Sequence, residues 1–196
     1  MKIYPIAIIF FVVCIASCTN RQNKERLNDE EYSSYLDQGK EISAKAQAAL
    51  LTNVSSAMKE GGSIYAIEFC NLNAASIIDS INSECDCNVL RVSARNRNPI
   101  NRLSSGYETQ VWEYYASKDK SASLHDTVVV FKDQVIYYKP ILIGMPTCLK
   151  CHGQTNDIDS ATYQKINKLY PQDKAVGYEL NDLRGLWKII YLNQNS

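Results

Sequence analysis

Near its C-terminal end the chain reads Met145-Pro146-Thr147-Cys148-Leu149-Lys150-Cys151-His152-Gly153, and no other stretch restricts the fold as tightly. Cys148-x-x-Cys151-His152 is a c-type haem attachment sequence. The spacing follows from the chemistry. Two thiols must add to the vinyl groups on one edge of a porphyrin while the next residue brings an imidazole under the iron. A chain built this way has to leave room for a flat tetrapyrrole, which then supplies much of the core. Two plainer readings use the same residues. Cys148 and Cys151 could form a thioredoxin-like redox pair with His152 merely outside it, or they could join Cys85 and Cys87 as four thiolates around zinc. An exported location favours haem over both.

The N-terminus supplies that location. Met1-Lys2 precedes an apolar run from Ile3 to Ala16, interrupted only at Tyr4 and Pro5, and the run ends at Ser17-Cys18. Residues 1–17 are therefore expected to be a signal peptide, too short for a permanent span. Ile15-Ala16-Ser17-Cys18 resembles a bacterial lipobox, in which small residues precede the cysteine that becomes the lipid-modified first residue. Cys18 is then a membrane tether, Cys14 is discarded, and the domain is a periplasm-facing lipoprotein. Ordinary secretion with Cys18 as a spare thiol is the alternative.

Residues 18–29 are polar and aperiodic, which suits a flexible tether, and residues 30–196 form one domain of ordinary size. With 21 basic and 21 acidic residues the chain offers no electrostatic case for nucleic acid. An exported chain with seven cysteines invites a disulfide framework. On the haem reading few thiols are left for one. Cys85 and Cys87 could bridge each other only as a small strained ring, and Cys70 has no obvious partner.

Hydrophobic spacing predicts a long helix over residues 30–60, with Ile42, Ala46, Ala49, Leu50 and Met58 recurring at helical intervals up to Gly61-Gly62. Ser63 then reads as an N-cap. Ala66, Ile67, Cys70, Ala74, Ile77, Ile78 and Ile81 follow on one face of a second helix. Cys70 thus lies on a buried face, where small Ala74 and Ala75 would let a flat group approach, although a core cysteine is the simpler reading of periodicity alone. Residues 88–93 read as a strand, followed by a polar loop whose Arg97, with Arg91 before it, could pair with haem propionates or simply be solvated. A short helix is expected over 107–118. Strands are expected at 126–132 and 134–143, joined tightly as a hairpin, and a further short helix at 161–169 precedes a last strand at 186–192. The order of elements argues an α+β domain, an antiparallel sheet with helices on one side.

Four stretches, taken together and in order, resemble a known family. They are Ala66-Ile67-Glu68-Phe69-Cys70 with Ala74; Arg91-Val92-Ser93 running into Arg97-Asn98-Pro99-Ile100-Asn101; Tyr138-Lys139-Pro140 leading to Cys148-Leu149-Lys150-Cys151-His152-Gly153; and Tyr170-Pro171 through Ala175-Val176-Gly177-Tyr178 to Asp182-Leu183-Arg184-Gly185. The family is that of exported single-haem domains with a PAS-like sensor fold, which includes a cyanobacterial cytochrome with His and Cys iron ligation. The resemblance implies a PAS-like sheet holding one covalent haem c, with His152 and Cys70 as the two iron ligands. Other distal candidates are few: His125, Met58 and Met145.

The expected function is a redox or gas sensor, or a signal-input domain, passing its state to a separate partner and able to take a diatomic gas. A lipid-tethered periplasmic electron carrier needing only a redox partner is the alternative. No acid–base set suggests an enzyme.

Overall fold

The computed structural model describes residues 26–104 and 106–192. The expected signal peptide, Cys18 and the start of the expected tether lie outside the described residues. Among the described residues no helix is long and apolar enough to cross a membrane.

Helix α1 runs over Asp29–Asn82 and opens with a capping box. Glu31 N donates to Asn28 Oδ1 at 2.9 Å, and Asn28 N donates to Glu31 Oε2 at 3.1 Å. The helix breaks where the sequence predicts, at Gly61 and Gly62, and Gly62 takes φ 68°, a conformation glycine adopts without a side-chain clash. Two helical arms result. Ser63 does not behave as the expected simple cap, because its hydroxyl donates across the fold to Asp159 Oδ2 at 3.1 Å. The remaining elements are β1 (Cys87–Val92), α2 (Gly106–Ala116), β2 (Thr127–Phe131), β3 (Gln134–Leu142), α3 (Pro146–His152), α4 (Ser160–Leu169) and β4 (Leu183–Tyr191).

The strands form one antiparallel sheet in the order β1-β4-β3-β2. Phe131 pairs with Gln134, so the β2–β3 hairpin turns on Lys132 and Asp133 alone, and both take the positive φ values that match the twist of the strands. The helices are not on one side of the sheet, as the order of elements suggested. On one face Val89, Tyr137, Trp187 and Ile189 pack against Ala46, Leu50 and Ile81 of α1. On the other, Val92, Ile136, Tyr138 and Leu186 pack around Tyr115 of α2. The reason is that successive strand residues point to opposite faces, and both sets here are apolar.

Polar bonds fix α1 on its face. Trp187 Nε1 donates to Gln47 Oε1 at 3.2 Å, Tyr191 Oη donates to the Tyr35 carbonyl at 2.7 Å, and the Ser43 and Tyr137 hydroxyls share a hydrogen bond at 3.3 Å. Gly39 lets the helix approach this closely, since a Cβ there would run into the Tyr137 ring. The second arm of α1 is held by α4, where Ile67 packs with Ile158, Ile166 and Tyr170. Helix α3 hangs between this arm and the end of the sheet.

Candidate functional site

The seven residues of α3 carry the whole attachment sequence. Pro146 sits in the first turn, where its missing N–H costs nothing, and the Gly153 N–H closes the last turn on the Leu149 carbonyl at 2.8 Å. Gly153 must be glycine for reasons of space, because a Cβ would fall 2.6 Å from the Asp157 side chain and 2.7 Å from the Leu149 carbonyl. The two motif cysteines are unpaired thiols. Cys151 backs onto the Ile67, Ile158, Ile166 and Tyr170 group, and Cys148 onto Ile143, Ala175 and Tyr178. Each thiol thus has its own apolar wall, and burial pushes the Cys151 thiol up to about 11.

His152 is oriented by the segment that crosses it. Its Nδ1 lies 2.7 Å from the Ala175 carbonyl oxygen, which can only accept, so Nδ1 carries the proton and Nε2 presents a lone pair. Backbone bonds repeat the clamp: Tyr178 N donates to the His152 carbonyl at 2.9 Å, and Gly177 N to the Gly153 carbonyl at 2.7 Å. Burial holds the imidazole well below the usual histidine range, with the charges of Arg184 and Arg97 acting in the same direction. The ring is therefore a neutral donor.

Arg97 secures that clamp. Its Nε and Nη2 reach Asp173 at 3.2 and 3.1 Å, and Nη2 also donates to the Cys151 carbonyl at 2.6 Å and to the Ala175 carbonyl at 3.3 Å. Arg97 is thus held by Asp173 and two main-chain carbonyls. Arg91 stands over the Trp187 ring at 6.0 Å, close enough to Cys70 to stabilise its thiolate.

Cys70 reaches the site from the second arm of α1. Burial pushes its thiol up, while Arg91 and Arg97 pull in the opposite direction. Its charge acts on Cys151, which brings the two sulfurs into one electrostatic neighbourhood. The other distal candidates lie less favourably. His125 is exposed, and its carbonyl accepts from Tyr115 Oη at 2.8 Å on the α2 side of the sheet; Met145 is exposed at the cap of α3; Met58 precedes the break in α1.

The zinc reading fails on topology. Cys85 and Cys87 are bonded to each other, with Cα atoms 5.2 Å apart, and they pack in the core between α1 and the sheet. A bend at Cys85 and Asp86 brings the two Cα atoms within bridging distance, which permits the small ring. Among the described residues no group of three or more His, Cys, Asp or Glu could hold a bare metal ion.

Sequence reasoning missed Arg184. This guanidinium lies 5.6 Å over the Tyr178 ring, and burial pushes its pKa down to about 10. Its Nε is buried without a hydrogen-bond partner, a deficit of about 1–3 kcal/mol in a closed protein. The residues fit a covalent haem on these grounds: two free thiols on one helix, a neutral imidazole with a presented lone pair, apolar walls, and positive charge that the chain leaves uncompensated.

The crystal structure of the cyanobacterial heme-protein Tll0287 is similar to this fold with a TM-score of 0.63, at 21% identity, over 86% of this chain and 98% of that one. The shared α+β architecture is consistent with a PAS-like fold. No curated protein sequence matches the chain. The family model Tll0287-like (Tll0287) matches residues 22–191, nearly all of the described structure, and the chain belongs to the Tll0287-like family.

Proposed function

We propose that the chain is an exported haem protein with one covalent haem c, ligated by His152 and Cys70, that acts as a redox or gas sensor or a signal-input domain rather than as an enzyme. Family membership supports haem binding, since the matched relative is a heme-protein. The observation that carries the reading is the His152 Nε2 lone pair, fixed by Ala175 on the same short helix as two unpaired thiols.

When bound, the haem would supply an iron able to change oxidation state and to accept donor groups from the chain. The chain's own residues do the rest. Cys148 and Cys151 hold the porphyrin edge, and Ala175 keeps His152 in one tautomer and one orientation. Cys70 offers a thiolate whose negative charge favours ferric iron, and Arg91 and Arg97 lower the cost of that charge. A Cys70 thiolate that let go on reduction would open a site for CO or NO, which is the behaviour a sensor requires.

The second reading, a lipid-tethered periplasmic electron carrier, draws on the exposure of Met145, Pro146, Thr147 and Lys150 around the attachment helix, which offers a redox partner an approach. In both readings Cys18 carries the lipid that anchors the domain on the periplasmic side. Ferric and ferrous spectra of the mature protein, with a covalent-haem stain and added CO, test the proposal. Rapid CO uptake by the ferrous form supports the sensor. Six-coordination in both oxidation states supports the carrier, and absence of covalent haem overturns both.

A further inference from the structure

Two arginines at the site have hydrogen-bonding capacity that the chain does not use, and the sheet shows how one of them came to be there. β3 and β4 stay in register as far as the pair Ile141–Gly185, and the next pair is Leu142–Leu183. Arg184 is left over as the extra residue of a bulge, a distortion that re-aims a side chain out of the ladder. Its main chain remains anchored, because the Arg184 carbonyl accepts from Ser93 Oγ at 2.9 Å. Nη1 donates to the Arg95 carbonyl at 3.3 Å, and the guanidinium lies over Tyr178, whose ring meets His152 edge-on at 6.3 Å between centroids. Nε is buried and has no partner.

Arg91 adds a second guanidinium, facing Trp187 and without an ion pair among the described residues. Their neighbours differ. Arg95 donates to the carbonyls of Val176 and Lys174, and Arg97 is taken up by Asp173 and two further carbonyls. An outside anion would complete Arg184 and Arg91, and planar guanidinium groups suit carboxylates best.

We propose that Arg184 and Arg91 form a carboxylate subsite beside His152 that takes the propionates of the tetrapyrrole, while Arg97 serves to position the loop under the histidine. The proposal rests on the haem reading above. A porphyrin carries its vinyl groups and its propionates on opposite halves, so the propionate partners should be weighted toward the histidine rather than the thiols. Arg184 overlies the Tyr178 ring that meets His152 edge-on, whereas Arg97 is bonded to the Cys151 carbonyl.

Resonance Raman spectra of the haem-loaded protein test this through the propionate bending mode, which reports hydrogen bonding to the carboxylates. Arg184→Gln and Arg91→Gln should each shift the mode to lower frequency and lower the reduction potential, since a positive charge near the haem is lost. Arg184→Lys should recover the potential but only part of the mode shift. If Arg184→Gln fails to accumulate, Arg91→Gln and Arg184→Lys read the same mode. A haem-loaded parent whose mode is unchanged in Arg91→Gln and in the Arg184 variants overturns the subsite alone. A parent without covalent haem sinks the haem reading, and the subsite with it.

Discussion

The Nδ1 of His152 lies 2.7 Å from the carbonyl oxygen of Ala175, so the side chain that closes the attachment sequence is oriented by a backbone group that follows it by 23 residues. That carbonyl also accepts from Arg97, and the amide of Ala175 donates to Asp173 Oδ1 at 2.9 Å. Orientation of the imidazole therefore depends on a buried ion pair that touches neither cysteine side chain.

Asp173→Ala should expose that dependence. The Arg97 and Asp173 side chains are only 10% and 4% exposed, so removing the carboxylate leaves a buried, uncompensated guanidinium at a cost of about 3–5 kcal/mol. Urea denaturation monitored by far-UV circular dichroism measures the loss, and the ferric spectrum should broaden as His152 gains freedom. A midpoint within error of the parent's would mean that the pair does not hold the loop.

Cys148→Ser combined with Cys151→Ser should abolish covalent haem and leave the domain poorly folded. The apolar groups behind the two thiols then face a space with no porphyrin to fill it. A double variant as stable as a parent that was never haem-loaded removes the central proposal.

Cys70→Ala should keep the haem attached, because attachment needs Cys148 and Cys151 while His152 still binds from its own side. The ferric spectrum is expected to move from low-spin six-coordinate toward high-spin, and ferrous CO binding should become ready. Loss of the thiolate charge destabilises ferric iron, so the potential should rise, with about 59 mV corresponding to tenfold in the one-electron equilibrium constant. A parent-like spectrum and potential would make Cys70 a core thiol and turn the search to Met58 or His125.

Cys18→Ala should release the protein from membranes and leave its spectrum unaltered, since Cys18 has no part in the proposed haem attachment. Fractionation with a covalent-haem stain reads both at once. Unchanged membrane partitioning would rule out Cys18 as the anchor.

Much of this molecule was legible along the chain because its signals are local. Apolar periodicity placed both arms of α1, Gly61-Gly62 marked the break between them, and the period of two located the strands to within a few residues. The spacing of Cys148, Cys151 and His152 pointed to its own chemistry, and one short helix carries all three. The inward face that carries Cys70 could be counted along the helix, whereas its expected role as a ligand came from the family resemblance.

What tertiary structure alone decided was set by pairing between distant segments. Arg184 precedes the strand expected at 186–192, and only the register of β3 against β4, which slips at Leu142, shows it as the bulged residue. Arg97 reads along the chain as a cation of a polar loop, and only the fold shows that Asp173 and the Ala175 carbonyl reach it. The second buried face of the sheet and the bond between Cys85 and Cys87 are likewise products of packing. Periodicity reports which side of an element turns inward, whereas hydrogen-bond partners depend on what the completed fold brings to that side.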